Sequence, residues 1–316
     1  MTDRLITENY EGAATGTEFK SDSYGLSRLK SRMSERLITV ADMLGGCVGK
    51  DGGMERHFEC TADVGCDHGY ISMYLALAGI SDRGIAMDVR EGPLSAAEGN
   101  IRSSSLADRI STRLSDGLTN LSPGEADSVV IAGMGGRVIT RILADSDLNG
   151  LGIKMGVLQP QSEIYDFRKF LHERNFFIED ERVVFDDGKY YFPMLVDFRG
   201  SQKYVSDRSK AAEAFEGCTS PQIKVLSRIM ESKEKLQDLL SDEDEAFSSE
   251  RLARDLSYRF GAHNIIRRDP LLVRYLEHGR EVSESILMRL NRDEHPDRYD
   301  EAEKELREIK VCLRLL

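Results

Sequence analysis

Short apolar runs alternate with amphipathic segments through the middle of the chain. Each run has the length of a strand, and the segment after it repeats its apolar residues at helical spacing. The runs are Cys60 to Val64, Gly84 to Met87, Ile110 to Leu114, Asp127 to Ala132 and Lys154 to Leu158. Alternation of this kind predicts an α/β fold with a parallel sheet.

Two further apolar runs follow the fifth strand and its helix. They are Phe176 to Phe185 and Tyr190 to Phe198, joined by Asp186-Asp187-Gly188-Lys189. Asp-Gly in a short connection is a strong hairpin signal. The sheet is therefore expected to end in an antiparallel pair, which is typical of class I, Rossmann-like methyltransferases rather than of nicotinamide dehydrogenases.

Helical periodicity flanks this region on both sides. Leu26 to Leu44 reads as one amphipathic helix ended by Gly45-Gly46, and Ser81-Asp82-Arg83 reads as a turn before the second strand. Beyond Gly200, the polar segment Ser206 to Phe247 has helical spacing. Pro270 to Arg292 and Pro296 to Leu316 are then predicted to form an antiparallel helical hairpin of coiled-coil type.

The stretch from Glu59 to Tyr70 carries the clearest chemical signal. A strand ends in Asp63-Val64-Gly65, the chain turns at Gly65, and a helix starting near Gly69 is expected to point free N–H groups at the same place. The dinucleotide fingerprint G-x-G-x-x-G is absent, and Asp67 would repel a pyrophosphate. A cofactor with a ribose and a positive charge suits the turn better, and S-adenosylmethionine fits that description.

Acids and glycines recur at the later strand ends. Asp88 follows Gly65 at close to the ~20-residue offset of a ribose-binding acid, although an N-cap role is the alternative. Asp116-Gly117 either accepts a hydrogen bond from an adenine or forms a plain turn. Gly133-Met134-Gly135-Gly136 implies a close backbone approach to a ligand, with a tight turn as the alternative.

Composition narrows the class of protein. The chain has 316 residues, a formal net charge of −12 and five scattered cysteines without C-x-x-C pairs. These cysteines are expected to be free thiols in a reducing cytoplasm, with no zinc site. No apolar run approaches the ~20 residues of a membrane span, and the N-terminus lacks a secretory h-region. Basic residues nevertheless cluster, which leaves an RNA-contacting face and a solvated face both open; they are Arg28, Lys30, Arg32, Arg36, Arg267 and Arg268.

Five motifs, in this order and spacing, closely resemble the TrmK family of bacterial tRNA (adenine(22)-N(1))-methyltransferases. They are ADVGCDHGYIS, GIAMDVREGPLSAAEGN, RISTRLSDGL, VVIAGMGGRVITRIL and LQPQSEIYDFRKFL. The resemblance covers Arg36 to about Phe198 and returns from Arg259 to the end. One departure is Ile71-Ser72, where relatives usually have Leu-Pro.

The resemblance implies a domain division and a set of cofactor contacts. Residues 26–200 would be the S-adenosylmethionine-binding catalytic domain, 201–257 a helical insertion and 258–316 the coiled-coil hairpin domain, while the polar, Gly/Thr/Ser-rich composition of residues 1–25 predicts a flexible tail. Asp63 and Gly65 would hold the methionine end, Asp88 the ribose, and Asp116-Gly117 the adenine. The full set of expected cofactor-binding residues is Asp63, Gly65, Cys66, Asp88, Val89, Asp116, Gly117, Ala132 and Gly133.

The chemistry of adenine N1 methylation indicates which residues would act in catalysis and in tRNA binding. N1 already has a lone pair, so positioning matters more than a base, and the product ring is cationic. Asp67, His68, Gly133, Met134 and Gly135 are the catalytic candidates; His68 could equally be a structural hydrogen-bonding residue. Tyr70 or Tyr165 could stack on the extruded base or could be core residues. The cations expected to contact tRNA phosphates are Arg28, Arg32, Arg36, Arg137, Arg141, Arg267 and Arg268.

Other functions remain open at this point. A class I methyltransferase could act on another RNA site, a small molecule or a protein, and a non-catalytic RNA-binding protein could retain the fold. The expected partner is tRNA, with neither membrane nor metal, and a monomer suits a hairpin that cradles RNA.

Overall fold

The computed structural model describes residues 23–46, 55–199, 220–239 and 249–316. Residues 1–22 of the predicted tail, residues 201–219 and 240–248 of the predicted insertion, and Cys47 and Cys218 lie outside these ranges. Within the described ranges, no helix combines the length and the apolar character that crossing a bilayer would require.

A seven-stranded sheet forms the centre of the molecule, in the order β3-β2-β1-β4-β5-β9-β6. Strands β1 to β5 are parallel to one another, and β9 is antiparallel to both β5 and β6. The predicted Rossmann-like sheet ending in an antiparallel pair is therefore confirmed. Its strands are β1 Phe58–Val64, β2 Ser81–Asp88, β3 Ile110–Leu114, β4 Ser128–Met134, β5 Met155–Pro160, β6 Phe177–Glu181 and β9 Met194–Asp197.

The antiparallel pair is less continuous than the sequence indicates. Residues between β6 and β9 leave the sheet as a separate two-stranded ribbon, β7 Val184–Asp186 and β8 Lys189–Tyr191. The Asp-Gly connection closes this ribbon, with Asp187 and Gly188 at positive φ. The hairpin turn is thus where the sequence predicts it, but it joins the short ribbon rather than the sheet strands directly.

Two local predictions were wrong because tertiary contacts override the local pattern. Ser81 to Arg83 is not a turn; it begins β2, where Ser81 pairs with Phe58 and accepts a hydrogen bond from the Thr61 hydroxyl. The helix predicted over Leu26 to Leu44 is two helices, α1 Ser23–Lys30 and α2 Glu35–Gly45. Ser34 separates them by capping α2 in an extended conformation.

Helices cover both faces of the sheet. One face packs against α1, α2, α3 Tyr70–Leu77 and α4 Glu91–Ser103 through buried residues such as Leu44, Met73 and Ile101. The other packs against α5 Gly136–Ala144 and α7 Ile164–Glu173. A short helix, α6 Leu148–Leu151, precedes β5. The two apolar layers fix the sheet so that its carboxyl edge is left for a ligand.

The C-terminal helices continue the second apolar layer. Leu256, Leu272, Ile309 and Val311 belong to the same buried cluster as the sheet residues beneath α5 and α7. The helices are α8 Ser220–Glu231, α9 Lys233–Leu236, α10 Ser249–Phe260, α11 Ala262–Arg267, α12 Pro270–Arg289 and α13 Pro296–Leu315. Helix α10 crosses the division predicted between residues 257 and 258, and the domain division stays a prediction.

Helices α12 and α13 form the predicted hairpin. Glu284 and Lys310 form an ion pair at 3.1 Å, and Arg292 donates to Asp300 at 2.8 Å near the connection. These pairings make the two helices antiparallel neighbours. Supercoiling of the pair stays a prediction.

Candidate cofactor and active site

A cavity of about 450 Å³ opens at the carboxyl ends of the central strands, a volume ordinary for a small-molecule site. In open α/β sheets this is the edge where ligands bind. Every cofactor candidate from the sequence lines it, and so do Asp67, His68, Gly133 and Met134. The structure therefore brings together residues from the ends of β1, β2, β3 and β4.

Gly65 makes the turn out of β1 with φ at +75°. A Cβ at this position would lie 2.3 Å from Met134 Cε, so any other residue would displace the end of the Met134 side chain. The Gly65 and Cys66 N–H groups donate to Met87 O at 2.8 and 3.0 Å. The turn is thereby fixed to the end of β2.

Asp63 lies at the end of β1 and is buried. Its Oδ2 accepts hydrogen bonds from the Ser72 N–H at 3.1 Å and from the Ser72 hydroxyl at 2.7 Å. Desolvation raises the pKa of Asp63 to about 6, although both Ser72 hydrogen bonds act in the opposite direction. The N–H groups expected to be free at the start of α3 are thus partly used within the protein, and Ser72 stands where relatives usually have proline.

Asp88 ends β2 and is also buried. Its Oδ1 accepts from the Arg90 N–H at 2.9 Å, and Arg90 Nε lies 3.7 Å away. The residue that caps α4 is Arg90, so Asp88 is not the N-cap. The carboxylate instead holds the turn after β2 while facing the cavity.

Asp116 lies on the loop after β3 and forms a two-point ion pair with Arg141 of α5, at 3.2 and 2.9 Å. Hydrogen bonding from Arg141 holds the pKa of Asp116 below its usual value. The neighbouring Gly117 has φ at +60°, and a Cβ there would lie 2.9 Å from Ile142. Arg141, predicted from the sequence to contact tRNA, therefore lines the cofactor cavity and is paired with an acid.

The end of β4 is irregular. Its register against β5 shifts between Ala132 and Met134, and the intervening Gly133 has φ at +82°. Gly135 does not line the cavity; it caps α5, and its Cβ position lies 3.2 Å from Ser162 Oγ. The glycines after β4 therefore have two roles, since Gly133 faces the cavity and Gly135 packs α5 against the loop before α7.

The turn between β1 and α3 presents an acid, an imidazole and a phenol. Asp67 is exposed with φ at +49°, and its Oδ2 lies 3.8 Å from His68 Nε2. The His68 ring stacks on Tyr70 at a centroid separation of 5.6 Å. Arg32 donates to the Tyr70 hydroxyl at 2.8 Å and lies over its ring. Tyr70 thus lines the cavity rather than the core, while Tyr165 instead donates to Asp255 on α10.

Arg36 reaches the cavity from the first turn of α2. Its Nη1 donates to Gln159 Oε1 at 2.7 Å, and its guanidinium lies 5.1 Å from the centroid of the Tyr191 ring. The same Nη1 lies 3.5 Å from the position of a Cβ on Gly133. Arg36 is therefore next to the irregular end of β4.

The other predicted phosphate-binding arginines lie outside the cavity. Arg28 and Arg268 are exposed, and Arg137 is exposed with Nε 3.6 Å from Glu163. Arg267 donates to Asp180 and to the Glu181 carbonyl, both at 2.7 Å, and so connects α11 to β6.

Several cavity residues were missed by sequence reasoning. Arg90, Ser115 and Gln161 all line it. Arg90 lies two positions after the strand-end acid Asp88, and Ser115 directly precedes Asp116, which is a signal that could have found them. The hydrogen bond between Arg36 and Gln159 joins residues 123 positions apart, and no local sequence pattern predicts it.

Comparison with known proteins agrees with this geometry. A methyltransferase-domain family model matches residues 52–194. The chain is 34% identical over 167 residues to the tRNA (adenine(22)-N(1))-methyltransferase of Bacillus subtilis (strain 168), covering 52% of this chain and 65% of that enzyme. It is 32% identical over 165 residues to a Mycoplasma pneumoniae protein assigned as a tRNA methyltransferase, covering 52% of this chain and 71% of the relative.

A solved structure extends the likeness beyond these segments. Mycoplasma capricolum TrmK, in complex with S-adenosyl-homocysteine, superposes with a TM-score of 0.63 at 20% identity, over 90% of this chain and 98% of that one. At this identity the likeness shows the fold alone. The sequence matches go further than the fold, because the Mycoplasma pneumoniae relative is matched over more than two thirds of its length: the chain belongs to the same family of tRNA methyltransferases as these relatives.

Proposed function

We propose that this protein transfers a methyl group from S-adenosylmethionine to N1 of adenine 22 in tRNA. The match to the Bacillus subtilis enzyme spans just under two thirds of that enzyme's length, so the similarity supports this activity without establishing it. The observation that carries the proposal is one cavity lined by Asp63, Asp88 and Asp116 in the order of adjacent strands β1, β2 and β3.

The order of these acids matches the order of groups along the cofactor. Asp116 with Gly117 would receive the adenine, Asp88 the ribose hydroxyls, and Asp63 the methionine ammonium. The glycine turns at Gly65 and Gly117 leave room that a side chain would fill. Acids also suit a ligand that carries a sulfonium and an ammonium, because both are positive. The residues present therefore fit this cofactor.

The bound cofactor supplies an electrophilic methyl group, and the protein must hold the adenine in line with it. Gly133 and Met134 border the cavity beyond β1, on the side of β5, where the acceptor would lie. Adenine N1 needs no base to expose its lone pair, so positioning provides much of the rate. Asp67 would stabilise the positive charge that develops on the ring, and His68 would hold the orientation of Asp67 and Tyr70.

The tRNA must deliver an unstacked base to this edge of the sheet. Tyr70, which contacts His68 and Arg32 and lines the cavity, would contact that base. Exposed arginines near the cavity would contact phosphates. We further propose that the enzyme acts as a monomer in the cytoplasm and without a metal, since the displacement requires neither a Lewis acid nor a second active site.

Incubation with unmodified tRNA and methyl-labelled S-adenosylmethionine, followed by mass spectrometry of nuclease fragments, tests the proposal. We expect one methyl per tRNA, on N1 of adenine 22. A transcript with guanine at position 22 should not be methylated, because guanine N1 carries a hydrogen rather than a lone pair.

A matched variant excludes a contaminating enzyme. Asp88→Asn removes the charge facing the ribose and should lower both cofactor affinity and methylation by about 10-fold or more, in line with the loss of a charged hydrogen bond. Methylation of another nucleotide, or cofactor binding without any methylated tRNA, would contradict the proposed function.

A further inference from the structure

Arg36 is held in place by neutral groups. Its hydrogen-bond acceptor is the Gln159 amide, and Gln159 is fully buried at the end of β5 with its own Nε2 donating to Pro160 O at 2.9 Å. The guanidinium also lies over the Tyr191 ring. Among the described residues, Arg36 forms no ion pair with a carboxylate. A full positive charge is therefore fixed at the cavity wall without a compensating anion.

The other arginines lining the cavity are paired. Arg141 forms a two-point ion pair with Asp116, and Arg90 lies 3.7 Å from Asp88. Arg90 and Arg141 also belong to the β2 and β3 side, where the ribose and adenine are proposed to lie. Arg36 is the cavity arginine beside Gly133, on the side of β4 and β5.

Four backbone N–H groups around the β1 turn are already used. The N–H groups of Gly65 and Cys66 donate to Met87 O, and that of Gly69 donates to Cys66 O at 2.7 Å. The Ser72 N–H donates to Asp63. An anionic group entering beside Asp63 would therefore find those four N–H groups occupied, and a side-chain cation would be a stronger partner for it.

S-adenosylmethionine carries one anionic group, the α-carboxylate of its methionine part, next to the ammonium. Asp63 suits the ammonium and would repel the carboxylate. We propose that Arg36, oriented by Gln159 and Tyr191, binds the carboxylate of the cofactor. This assignment rests on the proposed function, and it replaces the phosphate-binding role that the sequence indicates for Arg36.

A carboxylate bound to Arg36 would also affect the methyl transfer. Arg36 Nη1 is close to Gly133, where the adenine ring becomes cationic, and an uncompensated guanidinium there would oppose the developing charge. A carboxylate bound to Arg36 offsets that charge before the base arrives. Cofactor binding should then precede productive tRNA binding.

Calorimetry with two ligands distinguishes binding of the carboxylate by Arg36 from a general effect of Arg36 on the shape of the cavity. S-adenosylmethionine and its decarboxylated analogue share every group except the carboxylate. In the wild-type protein we expect the analogue to bind about 10- to 100-fold more weakly, as expected for a charged hydrogen bond. Arg36→Met should weaken the binding of S-adenosylmethionine by the same factor and change the affinity for the analogue by no more than about 2-fold. Arg36→Lys should restore only part of the lost affinity, because a lysine carries a point charge without the two-point geometry of arginine.

Two further variants keep the result interpretable. Arg36→Gln retains a donor for Gln159 if Arg36→Met folds poorly, and the same pattern is expected. Arg174→Met removes an exposed arginine that also lies over a ring, that of Phe170, and should change neither affinity. Equal weakening of both ligands in the Arg36 variants, or weakened tRNA binding alone, would overturn the assignment. A wild-type protein that binds neither ligand would instead refute the proposed function, and this inference with it.

Discussion

Asp63 shows how a binding residue can lower the stability of its own fold. The carboxyl group is buried, and its pKa of about 6 means that the charged form is disfavoured by its surroundings. Both Ser72 hydrogen bonds reduce this penalty without removing it. A ligand ammonium beside the carboxylate would supply the missing counter-charge. Binding should therefore strengthen as pH rises through about 6, where Asp63 ionises.

Asp63→Asn should stabilise the cofactor-free protein and weaken cofactor binding. The amide oxygen can still accept from Ser72, but no charge is buried. The pKa of Asp63 is raised in the folded state, so its contribution favours folding below the unfolded value near 3.8 and is lost as pH rises through about 6. At pH 7.5 we expect the free energy of unfolding to rise by up to about 3 kcal/mol, and cofactor affinity to fall about 10-fold or more.

Urea unfolding of both proteins from pH 4 to pH 8 measures the first effect, and calorimetry the second. The difference in unfolding free energy should grow between pH 4 and pH 6 and then stay level. A variant that is less stable than the wild type at pH 7.5, with no pH-dependent difference, would show that the Asp63 charge is already compensated in the cofactor-free protein.

At the scale of elements, the β1–α3 turn and the end of β4 depend on each other. The Met134 side chain occupies the space that Gly65 leaves, and Gly133 supplies the register shift that places Met134 there. The two strand ends are adjacent because β1 pairs with β4. The cavity floor is thus one packed unit made from two separate glycine-containing turns.

Gly65→Ala should lower the free energy of unfolding by more than the positive φ of this position alone explains. A positive φ costs an alanine about 1–2 kcal/mol, and displacement of the flexible end of Met134 adds a smaller amount, about 0.5 kcal/mol or more. Gly79 is a matched control, because it has φ at +69° with nothing within 4 Å of a Cβ, so Gly79→Ala should show only the backbone cost. Urea unfolding measures both.

Met134→Ala tests the steric share directly. In a double-mutant cycle, Gly65→Ala and Met134→Ala should couple by about 0.5 kcal/mol or more, because the second change removes the atom that the first one meets. Additive effects would mean that Met134 moves aside freely, and that the floor is less tightly packed than its contacts indicate.

What the sequence could predict follows from how local each signal is. Asp63, Gly65 and Asp88 stand at strand ends that apolar periodicity defines, so their shared edge follows from a parallel sheet. The break before Ser34 and the extension of β2 to Ser81 depend on partners that the local pattern does not contain. Side-chain pairs distant in sequence, such as Arg141 with Asp116 and Arg36 with Gln159, required the fold itself.

Across the whole molecule, the catalytic sheet and the C-terminal helices share one core. Arg168 and Glu181 form a fully buried ion pair, and Arg168 also donates to the Tyr258 and Arg259 carbonyls at the end of α10. Val311 of α13 is buried in the same apolar cluster as the sheet residues. Deletion of residues 270–316 would therefore expose this core, and loss of activity would not report on tRNA binding.

Substitution of surface charges tests where the tRNA binds without exposing the core, unlike deletion of residues 270–316. The chain carries a net charge of −12, yet α1 and the turn after it present Arg28, Lys30 and Arg32. Lys30 and Arg32 lie over Tyr74 and Tyr70 of α3, which places this basic strip beside the cavity. A local positive surface can bind a polyanion even when the molecule as a whole repels it.

The double variant Arg28→Ala/Arg32→Ala should weaken tRNA binding by about 10-fold at moderate salt and reduce the slope of log affinity against log salt by about 1 to 2. Cofactor affinity should not change, because neither residue lines the cavity. Filter binding across a salt series, with calorimetry for the cofactor, measures both quantities.

Arg102→Ala/Arg174→Ala is the matched control. It removes the same charge from exposed positions at the ends of α4 and α7, which lie at the opposite edge of the sheet because both helices run back from the carboxyl ends of the strands. An equal loss of tRNA affinity in the control would mean that net charge alone governs binding. A loss confined to the α1 pair would place the tRNA backbone along α1, with adenine 22 brought to the cavity past Tyr70.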